Sequence, residues 1–92
     1  MAEIRGALYL NLTASALAKT GTGKVYGVIV NSNTNGTLKL WDALTATTPV
    51  IINTYTFTTG VSQVITFPEP INFKTGLYAT IGGTADITLV LN

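Results

Sequence analysis

The residues of this chain that could do chemistry are few and stand apart from one another. The sequence has no His and no Cys, and its four carboxylates are Glu3, Asp42, Glu69 and Asp86. Enzymatic hydrolysis needs a nucleophile beside a base, or two carboxylates that share one site. Neither pattern occurs here, so we predict no catalytic residues and no enzyme. Asp42 and Asp86 stand at the ends of strand-like runs, where we expect the carboxylate to cap backbone N–H groups of a turn.

The segment from Gly21 to Lys24, followed by Gly27, superficially resembles a phosphate-binding loop. Such loops need a strand before them and a helix after them, because the N-terminus of the helix holds the phosphate. Here an apolar strand-like run follows and the glycine spacing is wrong, so we interpret the segment as a turn into a strand. Zinc ligands such as His and Cys are missing, and no loop carries the oxygen cluster that calcium requires. We predict no metal and no cofactor.

The aromatic side chains are the remaining candidates for a binding site. Trp41 lies on a run in which Leu38 and Leu40 share one face, so Trp41 and Lys39 point to the other face. An outward tryptophan could anchor a protein partner, or it could stack on a sugar ring together with Tyr55. We favour the protein partner, because an outward aromatic ring on a weakly charged domain suits a subunit interface. The residues predicted to contact a partner are Leu8, Tyr9, Leu10 and Trp41.

Extended strands must position all of these residues. Thr, Val, Ile, Tyr and Phe dominate the sequence, and helix-forming residues never recur at the helical spacing of about 3.6 residues. We therefore predict an all-β fold with about eight short antiparallel strands. That number of strands in a chain of this size fits a two-sheet sandwich, most naturally a jelly roll, with a small barrel as the alternative. The predicted strands span residues 4–12, 14–18, 25–31, 37–42, 50–57, 63–67, 77–81 and 87–91.

Glycine, asparagine and proline mark the predicted connections between strands. Residues 33–36, with the sequence Asn-Thr-Asn-Gly, have the composition of a hairpin turn, because asparagine and glycine tolerate positive φ. Residues 58–60 and the pair Gly82-Gly83 are interpreted in the same way. The segment Pro68-Glu69-Pro70 lacks two backbone donors, so we predict that it forms a stiff, extended crossing between two sheets.

Two runs carry apolar residues where a strand would be expected to meet solvent. In residues 26–30 both faces are apolar, so this strand lies in the middle of a sandwich or shows its second face to another subunit. Residues 4–12 alternate regularly, but no turn signal joins them to the next run. We therefore divide the chain into an N-terminal strand or arm at residues 1–12 and a single β-sandwich domain at residues 13–92. Such an arm could add a strand to the sheet of a neighbouring molecule.

Composition limits the partners of this protein. The 92 residues make one domain, and five Lys/Arg against four Asp/Glu give a net charge of +1, with 10% charged and 47% hydrophobic residues. Because neutral hydroxyls and amides cost less to desolvate than ions, such a surface suits lasting contact with other proteins. The scattered cations argue against nucleic acid. No run has the length of a membrane span or signal peptide, so we expect synthesis in the cytoplasm and no membrane partner.

Three segments of the chain resemble a family of small virion proteins of tailed phages. They are GTGKVYGVIVN at residues 21–31, GTLKLWD at residues 36–42 and FKTGLYATIGGTADITLVL at residues 73–91. The resemblance covers most of the chain from Ala14 onward and implies a jelly-roll-like sandwich that decorates or cements the phage head, or sits in another external part of the virion. It carries over no functional residue, because the matched positions are strand residues, turn glycines and one Asp.

From the residues and the resemblance together we expect a phage structural protein on the surface of the head. It would form a small homo-oligomer, with a trimer as the favoured form. Its partners would be other copies of itself and the major capsid protein or another virion protein. Two alternatives stay open. The chain could be a glycan- or receptor-binding module of a fibre or spike, or a major structural subunit that builds a shell or tube by itself.

Overall fold

A computed structural model of the chain describes the backbone of residues 8–92 and the side chains from Tyr9 onward. Within these residues the chain forms six strands in a single antiparallel sheet, and it forms no helix. This confirms the prediction of an all-β protein. No segment of the same region is a helix long and apolar enough to cross a membrane. The strands are β1 (Leu8–Leu12), β2 (Ala16–Thr20), β3 (Gly23–Trp41), β4 (Val50–Thr56), β5 (Gln63–Phe73) and β6 (Gly76–Leu91).

The two longest strands, β3 and β6, form the centre of the sheet. They pair along their length, from Val25 opposite Leu91 to Trp41 opposite Tyr78. β1 pairs with the C-terminal part of β6, and β5 pairs with the N-terminal part of β3. β2 pairs with the N-terminal part of β6, and β4 pairs with the C-terminal part of β3. The sheet thus has two halves: half A runs in the order β1, β6, β3, β5, and half B in the order β2, β6, β3, β4.

The number of strands is smaller than the sequence predicted, because four of the predicted runs join in pairs. Residues 33–36 do not form a hairpin turn; β3 continues through them with a register shift relative to β6 between Thr34 and Thr37. The pair Gly82-Gly83 lies inside β6, opposite the same part of β3. Asn35 and Gly83 have positive φ, at 54° and 67°. Bulges and hairpin turns both need residues that tolerate positive φ, so the same residue types mark both structures.

The segment Pro68-Glu69-Pro70 also lies inside a strand. β5 pairs with β3 on both sides of the prolines, with Thr66 opposite Gly27 and Ile71 opposite Val25. The predicted crossing between two sheets is therefore wrong. The prolines are tolerated because the register shift leaves the residues between Thr66 and Ile71 outside the ladder, and because β5 pairs with no other strand of the described chain.

One hydrophobic core receives side chains from both halves of the sheet. Its members alternate with outward residues along each strand, as the two-residue period of a strand requires. Burial of each large aliphatic side chain contributes about 1.5–3 kcal/mol to folding. The fully buried residues include Val28, Val30, Ile87 and Leu89 from half A, and Leu38, Leu40 and Leu77 from half B.

Asn33 is the one buried polar side chain of the described residues, and it lies in the part of β3 between the register shifts. Its Nδ2 donates to the carbonyl O of Thr58 at 3.0 Å, and its Oδ1 accepts from the N–H of Gly36 at 3.3 Å. The carbonyl O of Asn33 also accepts from the N–H of Gly60 at 3.1 Å. These bonds compensate the cost of burying the amide and hold the connection between β4 and β5 against β3.

Candidate functional site

The outer face of half A carries a group of exposed apolar side chains. Because Val28 and Val30 point into the core, Ile29 between them must point outward. Its neighbour on β5 is Val64, which lies directly opposite it in the ladder. Tyr9 on β1 lies opposite Val90 on β6 in the same way. We call the surface formed by Tyr9, Tyr26, Ile29, Val64 and Val90 the apolar face.

Solvent exposure distinguishes the apolar face from an ordinary strand surface. Tyr9 is 81% exposed, Val64 69% and Ile29 38%. Soluble proteins expose single apolar side chains commonly, but contiguous apolar patches mark contact sites more often. Ile29 and Val64 are ladder partners, and Val90 lies between them and Tyr9, so these side chains form one patch on the outer face of half A.

A shallow groove runs across the middle of the apolar face. Its volume is about 220 Å³, and Tyr26, Gly27, Val64 and Val90 are among the residues that line it. A Cβ on Gly27 would lie 2.6 Å from the carbonyl O of Ile65, so β5 can approach β3 this closely only at a glycine. Sites for metabolites usually enclose about 300–1,000 Å³ and include several polar groups. This smaller, apolar groove suits a side chain of a protein partner.

A polar cluster borders the apolar face at one end. Asp86 Oδ1 accepts hydrogen bonds from Nδ2 of Asn11 at 2.6 Å and from Nδ2 of Asn31 at 3.1 Å. Asn31 Nδ2 also donates to Oγ1 of Thr88 at 3.1 Å. The hydrogen bond from Asn11, followed by that from Asn31, lowers the pKa of Asp86 against a small opposing effect of desolvation. The cluster therefore holds an ionised carboxylate in a fixed position beside the apolar side chains.

The prediction that Asp86 caps a turn is wrong. Asp86 lies inside β6, and its hydrogen-bond donors are side-chain amides from β1 and β3. Asp42, by contrast, confirms the prediction: its carboxylate accepts from the N–H groups of Lys74 and Thr75 in the turn between β5 and β6, each at 2.9 Å. Desolvation raises the pKa of Asp42, but the N–H donors of this turn and the charge of Lys74 outweigh it, so the pKa is lowered.

The outer face of half B carries the tryptophan. Leu38 and Leu40 are fully buried, and Lys39 and Trp41 lie half-buried on the opposite side of β3, as the alternation predicted. Trp41 Nε1 donates to Oγ1 of Thr80 at 3.0 Å, and Lys39 Nζ lies 4.5 Å from the centroid of the Trp41 ring. We call the surface formed by Leu17, Lys39, Trp41, Tyr78 and Thr80 the tryptophan face. Groups of the chain itself engage both the indole N–H and the ring of Trp41.

The structure separates the residues predicted to contact a partner. Tyr9 lies on the apolar face, and Trp41 lies on the tryptophan face of the other half. Leu10 points inward and packs against the core, half-buried. The backbone of Leu8 pairs with Leu91; its side chain lies outside the described part of the chain, as do residues 1–7 of the predicted N-terminal strand or arm.

Val64 and Val90, which complete the apolar face, are not among the residues predicted from the sequence to contact a partner. The alternation of residues in this strand does indicate that Val64 points outward, because its neighbour Ile65 and then Phe67 pack against the core. Its assignment to the same patch as Tyr9 required the register of β5 on β3 and of β1 on β6, which the sequence does not contain.

The segment that resembles a phosphate-binding loop is a turn between two strands. Gly21 has a φ of 91°, and its N–H donates to the carbonyl O of Thr75 at 2.9 Å. β3 begins at Gly23, so a strand and not a helix follows the glycines. This is the arrangement that the sequence predicted.

No protein-family model, curated protein or solved structure matches this chain. The geometry of the two outer faces therefore carries the functional conclusion. The protein is all-β, and within residues 8–92 nothing covers its apolar face. On the tryptophan face, Thr80 and Lys39 contact the Trp41 side chain.

Proposed function

We propose that this chain is a phage structural protein that decorates or cements the capsid as a small homo-oligomer on the surface of the head. Its apolar face would bind the major capsid protein or another virion protein. The single observation that supports this proposal is the exposure of Tyr9, Ile29 and Val64 on one face of half A in a weakly charged protein.

The strand order favours a jelly roll, which was the fold expected from the sequence. The register shifts in β3 divide it into a part that belongs to half A and a part that belongs to half B, and β6 divides in the same way. Each half then has four strand segments, and both halves contribute inner side chains to one core. We interpret them as the two sheets of a sandwich. Jelly rolls recur among viral capsid and lectin domains, so the interpretation is consistent with a virion protein.

The size of the apolar face indicates how strongly a single copy would bind. Four strands about 4.8 Å apart, each extending over about five residues, span a surface of roughly 300 Å². A stable protein interface buries about 800 Å² on each partner. One apolar face is therefore too small for tight binding alone. A protein with repeated copies on a regular shell gains the missing affinity through multivalency.

We also propose that the chain has no enzymatic activity. Asp42 is hydrogen-bonded to backbone N–H groups of a turn, and Asp86 is hydrogen-bonded to two side-chain amides. Both carboxylates thus have structural partners. The glycan-binding alternative would use Trp41 and Tyr55. However, Lys39 lies over the Trp41 ring, and the ring of Tyr55 packs against that of Phe57 with 5.7 Å between the ring centroids. This geometry favours protein contact over a sugar platform.

Binding to phage heads tests the proposal. Heads would be prepared from the phage that encodes the chain, with its gene deleted, and mixed with the purified protein. We expect saturable cosedimentation with these heads and a higher temperature of head disruption. Protein that stays in the supernatant would contradict the proposal. A glycan-array signal that depends on Trp41 would then point to a fibre or spike module, and large particles of the protein alone in electron micrographs would point to a self-assembling shell or tube subunit.

A further inference from the structure

We propose that the outer edge of β1 pairs with β1 of a second copy of this chain, in antiparallel orientation and with Leu10 at the two-fold axis. The two half-A sheets would then continue into one another. This inference rests on the proposed function, because it names the contact through which the homo-oligomer forms.

The outer edge of β1 differs from the other edges of the sheet in the described residues. β5 carries Pro68 and Pro70, and β4 has register shifts and a positive φ at Thr54. β2 has a register shift at Lys19. Prolines, bulges and edge lysines are the devices by which proteins prevent a sheet edge from pairing with another molecule. Three of the four edges have such a device.

β1 has none of these devices. It pairs with β6 without a register shift, from Leu8 opposite Leu91 to Leu12 opposite Ile87. Its sequence, LYLNL, contains no Pro, Gly or charged residue. Within residues 8–92 no strand pairs with its outer edge. Every second residue of such an edge directs its N–H and C=O away from the sheet, where a second strand can accept and donate hydrogen bonds.

The sequence around β1 fits a copy of itself. Residues 6–18 carry no charged side chain, so two copies can approach without repulsion between like charges. In an antiparallel pair centred on Leu10, Tyr9 lies opposite Asn11 of the second copy on the outer face. The two Leu10 side chains meet on the inner face, where each already packs against its own core. Apolar residues thus meet inside, and an aromatic hydroxyl meets an amide outside.

This pairing also enlarges the surface that the proposed function needs. Two apolar faces would become continuous, with about twice the area that one copy offers to a shell. The contact is isologous, so it produces a two-fold dimer in place of the trimer expected from the sequence. The oligomeric state therefore distinguishes the two expectations.

Cysteine cross-linking tests the register directly, because the chain has no cysteine of its own. Directly opposed residues of antiparallel strands have Cβ atoms about 4.5–5.5 Å apart, and diagonal neighbours lie about 7–8 Å apart. A disulfide needs Cβ atoms within about 4.5 Å, so a small shift of the strands suffices only for the opposed pair. We expect the Leu10→Cys variant to form a disulfide-linked dimer at least ten times faster than the Tyr9→Cys variant. Tyr9 is the more exposed residue, so random collision predicts the reverse order.

A second experiment places the cysteines on the outer face, so that no core residue is changed. A mixture of the Tyr9→Cys and Asn11→Cys chains should form mixed disulfides faster than either chain alone. Light scattering on the unmodified protein should give a dimer. Equal rates for all variants, a monomer or a trimer would overturn the inference. Head binding is measured separately on the unmodified protein. If the protein binds heads but the cysteine variants do not cross-link, the dimer is wrong and the proposed function is supported. If the variants cross-link but the protein does not bind heads, the dimer is supported and the proposed function is wrong.

Discussion

The outer faces of half A and half B both carry aromatic and aliphatic side chains across adjacent strands, but the two most exposed of them, Tyr9 and Val64, lie on half A. On the tryptophan face, Thr80 accepts the indole N–H of Trp41 and Lys39 lies over its ring. On the apolar face, Ile29, Val64 and Tyr9 remain exposed. Trp41 on the first face is contacted by groups of the chain itself, whereas the second face leaves its apolar side chains exposed.

The difference in coverage between Trp41 and Ile29 comes from the residues that lie two positions from each of them on β3. Lys39 is on the same face of β3 as Trp41, and its long side chain can reach over the ring. The corresponding neighbours of Ile29 are Gly27, which has no side chain, and Asn31, which is hydrogen-bonded to Asp86 and Thr88. Neither can cover Ile29. The type of the aromatic or aliphatic residue therefore does not decide whether it is covered; its same-face neighbours do.

The largest expected effect comes from placing a charge on the apolar face. In an Ile29→Lys variant the ammonium group would be buried against the shell without a partner, at a cost of about 3 kcal/mol. We expect affinity for phage heads to fall by at least about a hundredfold. The matched control is Leu17→Lys on the tryptophan face, since Leu17 and Ile29 are exposed to similar extents, 40% and 38%. Equal loss of head binding in both variants would remove the distinction between the faces.

A smaller effect, on stability alone, is expected at the tryptophan face. A Trp41→Phe variant loses the hydrogen bond to Thr80 and weakens the contact with Lys39, so its free energy of unfolding should fall by about 1–2 kcal/mol. Denaturant titration measures this change. Head binding should be the same as for the unmodified protein. A Thr80→Val variant, which removes only the acceptor, should show part of the same loss. Weaker head binding by a folded Trp41→Phe protein would assign Trp41 to the contact surface instead.

The smallest expected effect concerns the carboxylate next to Trp41. The pKa of Asp42 is lowered in the folded protein from its ordinary value of 3.8. Its contribution to stability is therefore present above that value and is lost as the pH falls through the folded pKa. An Asp42→Asn variant should lose about 1 kcal/mol at pH 7, which is less than is usual for hydrogen bonds to charged groups because the carboxylate is partly solvated. Below pH 3.8 its stability should approach that of the unmodified protein.

The control for this pH dependence is Asp86→Asn in the polar cluster that borders the apolar face, because the pKa of Asp86 is lowered by side-chain amides and not by a turn. Its effect should have the same sign and a smaller size. Denaturation curves between pH 2 and pH 7 measure both variants. A difference between Asp42→Asn and the unmodified protein that stays constant down to pH 2 would contradict the role assigned to the charge.

The sequence predicted which residues of a strand share a face, because alternation is a local property. Leu38, Leu40, Ile87 and Leu89 are buried as expected. It did not predict that residues 33–36 continue a strand, because positive φ serves a bulge as well as a turn. Only the pairing with β6 distinguishes the two.

A local sequence pattern also could not predict which residues together form the apolar face. The two apolar faces of residues 26–30 indicated that one side of this strand faces a partner or the middle of a sandwich. Val64 and Val90 lie far from Tyr9 in sequence and join it only through the registers of three strands. The same holds for the coverage of Trp41, since Thr80 is brought to it by β6. Long-range pairing thus determined which residues lie together on each face.

Thiol labelling on the assembled head tests the central claim most directly. A single cysteine is introduced as Val64→Cys on the apolar face or as Leu17→Cys on the tryptophan face, and its rate of reaction with a maleimide is measured for the unbound and the head-bound protein. We expect binding to slow labelling of Val64→Cys at least about tenfold, because burial in the contact excludes the reagent, and to leave Leu17→Cys unchanged. Protection of Leu17→Cys with unchanged labelling of Val64→Cys would contradict the assignment of the apolar face as the binding surface.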